Sequence, residues 1–175
     1  MRRALIWLPL GLFAVLFAVI GFGLLKPADR TVHSAMIGRP LPAFALAPMV
    51  PSKPGLSTAA FKQGKSRLLN VFASWCIPCI AEARQLARLK QMGITIDAVA
   101  IRDTPRDVQD FLSRYGDPYA SIGNDPDSSI QLALGSSGVP ETFVIDGQGR
   151  ILLQHIGEIR AEDVDEIAAL IRRGA

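Results

Sequence analysis

The two cysteines of this chain stand three residues apart in the stretch Ala73-Ser74-Trp75-Cys76-Ile77-Pro78-Cys79. Thiols at that spacing can exchange disulfides, hold a metal or staple the chain. With a helix following them, their side chains lie roughly 5–6 Å apart on one turn, a separation that a disulfide accepts. A thiol at a helix N-terminus also faces unsatisfied backbone N–H groups, whose partial positive charge favours the thiolate, the form that attacks disulfides. As a staple the pair is poor, because closing so short a loop stabilises a fold by only about 2 kcal/mol. Structural zinc usually takes four ligands, and beyond the thiols there are only His33 and His155, each solitary in sequence. Thiol–disulfide exchange is therefore favoured over a staple or a metal site. Cys76 is the nucleophile, Cys79 the resolving thiol, and no metal or cofactor is required. Because Ile80 and not His follows Cys79, covalent haem attachment to this chain is not expected.

Positioning that pair requires a strand before it and a helix after it. Leu68-Leu69-Asn70-Val71-Phe72 is an apolar run that reads as a buried strand, within a segment from Arg67 to Phe72. Ile80 to Gln91, rich in Ala, Leu, Glu, Arg and Lys, reads as helix, with Gly93 as its C-terminal cap. Pro78 suits the first helical turn, where its missing N–H is not needed. Trp75 shields one side of the cysteines and offers apolar surface to a partner, or else is an ordinary core tryptophan. Upstream, Ile37 to Leu46 reads as an extended lead-in to an edge strand, and Ser57 is placed to cap a short helix through Phe61. Downstream come a strand at Ile94–Ile101, a helix from Pro105 to about Gly116 capped by Thr104, a short strand at Tyr119–Ile122 and a short helix at Ser128–Leu134. A turn at Gly138 then leads into a strand to Ile145, a hairpin onto Ile151–Ile156, and a last helix at Ala161–Arg173. Strands alternating with helices and ending in a hairpin predict a mixed sheet covered on both faces.

Export is read from the N-terminus. Leu5 to Leu25 is apolar apart from glycines and one proline, enough for a helix of about 30 Å, the thickness of a hydrocarbon core. Arg2 and Arg3 precede it, so the positive-inside rule keeps the N-terminus cytoplasmic and sends the rest across. A cleaved signal peptide is the alternative, but its apolar region runs to about 7–15 residues and is followed by a small-residue site, which Leu24-Leu25-Lys26-Pro27 does not supply. The expected organisation is an anchor at 1–25, a linker at 26–35 and a domain at 36–175. The 19 basic residues barely outnumber the 16 acidic and form no stripe or cluster, so no nucleic-acid partner is expected.

The domain from about Met36 onward resembles the thioredoxin fold, and more narrowly the membrane-anchored CcmG/DsbE family of cytochrome c biogenesis thiol:disulfide interchange proteins. The matching residues are Ile37-Gly38 with Pro40, Pro42, Phe44 and Leu46; Asn70-Val71; Trp75-Cys76 with Pro78-Cys79; Ala81-Glu82; Gly116 with Pro118-Tyr119; and Gly138 through Phe143 followed by Ile145-Asp146-Gly147. The resemblance implies an α/β thioredoxin-like fold, a central mixed sheet flanked by helices, preceded by one N-terminal transmembrane helix. It implies that Pro140 is cis and packs opposite the Cys-x-x-Cys, leaving the backbone of Val139 free to pair with an extended substrate. It also marks Glu82 and Glu141 as acidic surroundings of the site. Helix spacing puts Glu82 on the side of Cys79, where it can relay the proton of the resolving thiol or raise that thiol's pKa by repulsion; the plain alternative is a solvated helix acid. Where ordinary thioredoxins carry a buried Asp, six residues before the first cysteine, this chain has Asn70, which cannot ionise. Two departures stand out: Gly135-Ser136-Ser137-Gly138 lacks the family's usual aromatic residue, and Arg102-Asp103 replaces a Lys-Asp pattern, a minor change.

The implied activity is that of a dithiol reductant on the outer face of a bacterial inner membrane, its domain periplasmic. It would act on apocytochrome c or a cytochrome c assembly protein before haem attachment, and be recharged by a membrane electron donor. Two rivals are a general periplasmic disulfide oxidant or isomerase and a non-catalytic adaptor that binds apocytochrome c through the Val139-Pro140 groove. A reduction potential near about −270 mV marks a reductant and one near about −120 mV an oxidant.

Overall fold

Three runs in this sequence are apolar on both faces, and they become the inner strands of a sheet. A computed structural model of the chain describes residues 11–13, 15–17, 21 and 36–174. Its elements are β1 (Ala45–Leu46), β2 (Leu56–Ser57), a 3-10 turn at Thr58–Phe61, β3 (Arg67–Phe72), α1 (Ile77–Gln91), β4 (Ile96–Ile101), α2 (Pro105–Tyr115), β5 (Ser121–Asp125), α3 (Ser129–Ala133), β6 (Glu141–Ile145), β7 (Ile151–Ile156) and α4 (Asp163–Arg173). The main sheet has the order β5-β4-β3-β6-β7. β3, β4 and β5 run parallel, in the register Val71↔Val99 and Ala98↔Ile122; β6 is antiparallel to β3, with Asn70↔Thr142, and β7 antiparallel to β6. β4 and β6 are buried along their whole length and β3 from Leu68 onward. This is the behaviour expected of strands covered on both faces.

Right-handed crossovers place α1 and α2 on one face of the sheet, where α1 also packs against α4. Helix α1 stops where its chemistry stops it. Gly93 adopts φ +83°, and the N–H groups of Gly93 and Ile94 turn back to the carbonyls of Lys90 (2.9 Å) and Leu89 (3.2 Å), closing the helix with a glycine cap. The β1–β2 hairpin lies on β5 so closely that a side chain at Gly123 would meet the Leu46 side chain at 2.8 Å. Phe61, Leu68, Leu69, Phe72 and Phe143 are fully buried at the centre, each such side chain contributing roughly 2 kcal/mol of transfer free energy. The arrangement is a thioredoxin-like α/β fold with a central mixed sheet flanked by helices.

Several boundaries differ from expectation for identifiable reasons. Helix α1 begins at Ile77 and not Ile80, because Cys76 itself is its N-cap and Pro78 occupies the first turn. Ser57 makes no side-chain cap; Thr58 does the local work, its hydroxyl donating to Pro42 O (2.7 Å) and accepting from Phe44 N–H (2.9 Å). The strand expected at Tyr119 begins at Ser121, since Tyr119 is turned into the core with its hydroxyl on Asn70.

The chain divides into two compact units, Met1–Val32 and His33–Ala175. In the first, the described residues are helical. Among the described residues no helix is long and apolar enough to cross a membrane; most of the expected anchor, Leu5 to Leu25, and the linker up to Ala35 lie outside them.

Candidate active site

Strand β3 delivers the cysteines to the start of α1, at the C-terminal end of the parallel strands. Cys76 and Cys79 are joined as a disulfide with their Cα atoms 5.3 Å apart. Cys76 holds an extended conformation as the N-cap, and its Sγ accepts from the Cys79 N–H at 3.2 Å. The sulfur thus stands where a side-chain oxygen stands in most helix caps. Cys76 is 4% exposed and Cys79 2%, between Trp75 at 58% and Ile77 at 78%. Those exposed apolar neighbours form a rim beside the disulfide, so Trp75 is not a core tryptophan.

Residues to which sequence reasoning gave no role at the site hold this loop in shape. The Asp103 carboxylate accepts from the Ser74 N–H (2.5 Å), the Ser74 hydroxyl (2.8 Å) and the Thr104 N–H (2.9 Å). The Trp75 indole N–H donates to the Arg102 carbonyl at 3.2 Å. Arg102 adopts a left-handed φ of 44°, and its Nε donates to the Ser128 hydroxyl at 2.8 Å. The Arg102-Asp103 departure is therefore not minor in place: it is the contact that ties the loop after β4 to the cysteine loop. Alongside it, Ser74, Trp75, Ile80, Asp110, Phe111 and Arg114 line an open pocket of about 310 Å³.

Across the sheet, the Val139–Pro140 peptide is cis, as the resemblance implies. The register Val71↔Glu141 puts the start of β6 at the same end of the sheet as the cysteines. Pro140 is buried and Val139 partly so. Among the described residues no backbone hydrogen bond engages Val139, whereas both neighbours are tied down. The Gly138 carbonyl accepts from Gln131 Nε2 (3.1 Å) and the Ser136 hydroxyl (3.0 Å), and the Pro140 carbonyl from the Gly157 N–H (3.0 Å). A backbone without hydrogen bonds of its own, between fixed neighbours, is available to pair with another chain.

Below the cysteines lies a buried polar floor. Glu82 sits on the inner face of α1 and is fully buried, so it is not a solvated helix acid. Its Oε1 accepts from Asn70 Nδ2 (2.9 Å) and its Oε2 from the Ile159 N–H (3.0 Å). Burial pushes its pKa up from 4.5 to about 7; the Ile159 and Asn70 donors hold it down, and the Glu158 charge adds to the rise. Asn70 also donates to Thr142 Oγ1 (3.0 Å) and accepts from the Tyr119 hydroxyl (2.8 Å). Glu141 is equally buried. Its carboxylate takes donors from the Ser137 N–H (3.2 Å), the Ser137 hydroxyl (3.1 Å) and Gln154 Nε2 (3.3 Å). Since Thr142 reaches Asn70, strand alternation turns Glu141 to the other face, and the two acids share no hydrogen-bond partner. Ser137, where the family's aromatic was missed, is one of the groups that hold Glu141. Among the described residues no cluster of His, Cys, Asp and Glu could hold a metal ion.

Chemically, this is a reversible disulfide at a helix N-terminus, with an acid one helical turn from Cys79 whose proton is exchangeable near neutral pH, and an unpaired backbone at Val139 just before β6. Comparison with known proteins agrees. The family model described as Redoxin matches residues 36–171. The chain is 40% identical over 164 residues to the thiol:disulfide interchange protein HelX of Rhodobacter capsulatus, covering 94% of this chain and 92% of that protein. It is 36% identical over 165 residues to the thiol:disulfide interchange protein DsbE of Escherichia coli K12, covering 91% and 88%. Among solved structures, a DsbF homologue from Corynebacterium diphtheriae superposes with a TM-score of 0.66 at 25% identity, covering 83% of this chain and 96% of that one.

Proposed function

The chain belongs to the redoxin family, among the DsbE/HelX thiol:disulfide interchange proteins, and is a thiol-disulfide oxidoreductase; from that premise we propose that it is a membrane-tethered periplasmic reductant serving cytochrome c maturation. The observation that carries this reading is the Cys76–Cys79 pair, bordered by exposed Trp75 and Ile77 and lying at the same sheet end as the unpaired Val139 backbone. The resemblance to the cytochrome c biogenesis family supports the direction of electron flow and the cytochrome c partner, as Arg2, Arg3 and the apolar run from Leu5 to Leu25 support the tether.

In the reduced protein the Cys76 thiolate attacks one sulfur of a partner disulfide. A bond forms between Cys76 and the partner, and the partner's other sulfur leaves as a thiolate. The Cys79 N–H that now donates to Cys76 Sγ is placed to stabilise the attacking anion. The partner's extended chain pairs with Val139 while Trp75 covers its apolar side. Glu82, ionisable near neutrality, accepts the Cys79 proton. The Cys79 sulfur then displaces the partner's sulfur from Cys76, closing the Cys76–Cys79 disulfide. Two electrons have passed to the partner, which takes up the protons on its two thiols. A membrane dithiol donor reopens the pair by the same exchange in reverse.

The test is Cys79→Ala in the full chain, which leaves Cys76 to attack and removes the thiol that releases the adduct. Mixed disulfides should accumulate with apocytochrome c chains or their assembly proteins. Recovery of mainly unrelated exported proteins would show a general exchanger instead.

A further inference from the structure

Asn70 stands between buried groups that all depend on which way its amide points. Asn70, Glu82, Thr142 and Tyr119 are each at most 2% exposed. The amide has one accepting end and one donating end. As it stands, Oδ1 meets the Tyr119 hydroxyl and Nδ2 meets Glu82 and Thr142. Turned by half a revolution, it would aim its oxygen at Glu82. An oxygen there repels a carboxylate but accepts the proton of a neutral acid. The orientation of the amide and the proton on Glu82 are thus coupled, and the group that holds the amide governs both.

Tyr119 is built to hold it. Its ring stacks on Phe72 with centroids 4.9 Å apart and planes 27° apart. Its carbonyl accepts from Lys53 Nζ at 2.6 Å, and Lys53 is paired with Asp117 at 2.7 Å. Burial first, then the Glu82 and Asp117 charges, push its ionisation well above the usual tyrosine range, so the hydroxyl remains a donor. Of the neighbouring segments, the one before β5 brings Tyr119 to act on Glu82 and the loop after β7 brings Glu158; its own helix carries Cys76 and Cys79, while Asn70 and Thr142 do not titrate.

We propose that Tyr119 is a positioning residue for the exchange reaction: its hydroxyl locks the Asn70 amide with both N–H bonds directed at Glu82 and Thr142, which keeps Glu82 able to release and regain a proton. This rests on the reading of Glu82 as acceptor of the Cys79 proton. Tyr119→Phe removes one oxygen, keeps the ring on Phe72 and leaves Oδ1 without its donor. The turned amide then becomes competitive whenever Glu82 is protonated.

The test is a carbon-13 titration of the Glu82 carboxyl in the oxidised full chain, its signal assigned by its loss in Glu82→Gln. Tyr119→Phe should raise the midpoint by about half to one pH unit, the equivalent of one ordinary hydrogen bond, and move the pH profile of disulfide exchange upward with it. An unmoved midpoint overturns the proposal. Should the variant fail to form its native disulfide, the unmodified chain still decides. The Asn70 side-chain N–H signals must follow the Glu82 titration, and signals that stay flat through it overturn the proposal. Failure of the underlying reading looks different: Glu82→Gln would then resolve mixed disulfides as fast as the parent, whatever the midpoints do.

Discussion

Two of the buried carboxylates lie on opposite faces of the sheet, only one register position apart, and their partners differ in kind: Asp97 pairs with Leu69, the neighbour of the Asn70 that meets Glu82. Asp97 is the second residue of β4, on the sheet face turned away from Asn70, with its Oδ2 2.8 Å from the guanidinium of Arg67. Glu82, on the inner face of the helix that Cys76 caps, has a neutral amide and a backbone N–H as its donors. Burial raises both pKa values as the leading cause. The chief opposing influence at Asp97 is the charge of Arg67, whereas at Glu82 it is the hydrogen bond from Ile159. A guanidinium keeps its proton under all relevant conditions and so favours a permanent anion beside it. Neutral donors offset burial only in part and leave Glu82 near 7, where a proton can move either way. The fold thus sets a cation beside Asp97, and gives only neutral donors to the acid that must change charge.

Exchanging the chemistry of each site should break the distinction in a different observable. The largest effect is expected from Glu82→Gln, which removes the proton acceptor for Cys79. Release of the mixed disulfide at pH 7 should slow about a thousandfold, within the range general acid–base groups supply, with initial attack by Cys76 little changed. Rapid-mixing kinetics with a model disulfide separates the two phases; equal release rates would make Glu82 a second Asp97. Next comes Arg67→Met, which leaves Asp97 buried without its cation. Unfolding in urea at pH 7 should show a loss of roughly 3 kcal/mol, with exchange rates in the folded protein unaltered. A slowed exchange reaction would tie Asp97 to the chemistry after all.

How far these roles are legible in sequence depends on how local their causes are. The apolar run to Phe72 and the β-branched run to Ile101 mark β3 and β4 directly, because burial on both faces demands such runs. The inner face of α1 is also readable: Cys79, Ala83, Leu86 and Leu89 are buried at helical spacing, and Glu82 lies within that stripe. Its depth is not readable, since it depends on the Ile159 loop arriving from the far end of the chain. The contacts of Asp103 and Arg102 are invisible for the same reason. They meet Ser74 and Trp75 only because β3 and β4 are parallel neighbours, so the loops leaving them emerge side by side. The cis bond before Pro140 has no local signal at all, being a minority state of any X-Pro pair; only the resemblance implied it. Tyr119, read as strand, is instead placed by its ring on Phe72 and its hydroxyl on Asn70.

The smallest effect sharpens the comparison through stability and pH. Glu82 has a pKa of about 7 in the folded chain and an ordinary 4.5 as its reference, so between those values the folded state binds more protons than the unfolded one. Stability must therefore fall as pH rises through that window. The favourable contribution is complete below the unfolded value and is lost as pH passes the folded one. Between pH 5 and pH 7 the loss attributable to Glu82 is about 2 kcal/mol. Asp97, also raised in the folded state, acts with the same sign, but it is present in both the parent and Glu82→Gln, so their difference isolates Glu82. Urea unfolding of the two oxidised proteins at both pH values should show the parent losing about 2 kcal/mol relative to the variant on going from pH 5 to pH 7. If the parent instead gains on the variant over that range, neutral donors alone hold Glu82 as firmly ionised as a salt bridge would. The acid beneath the cysteines would then have no proton to exchange near neutrality.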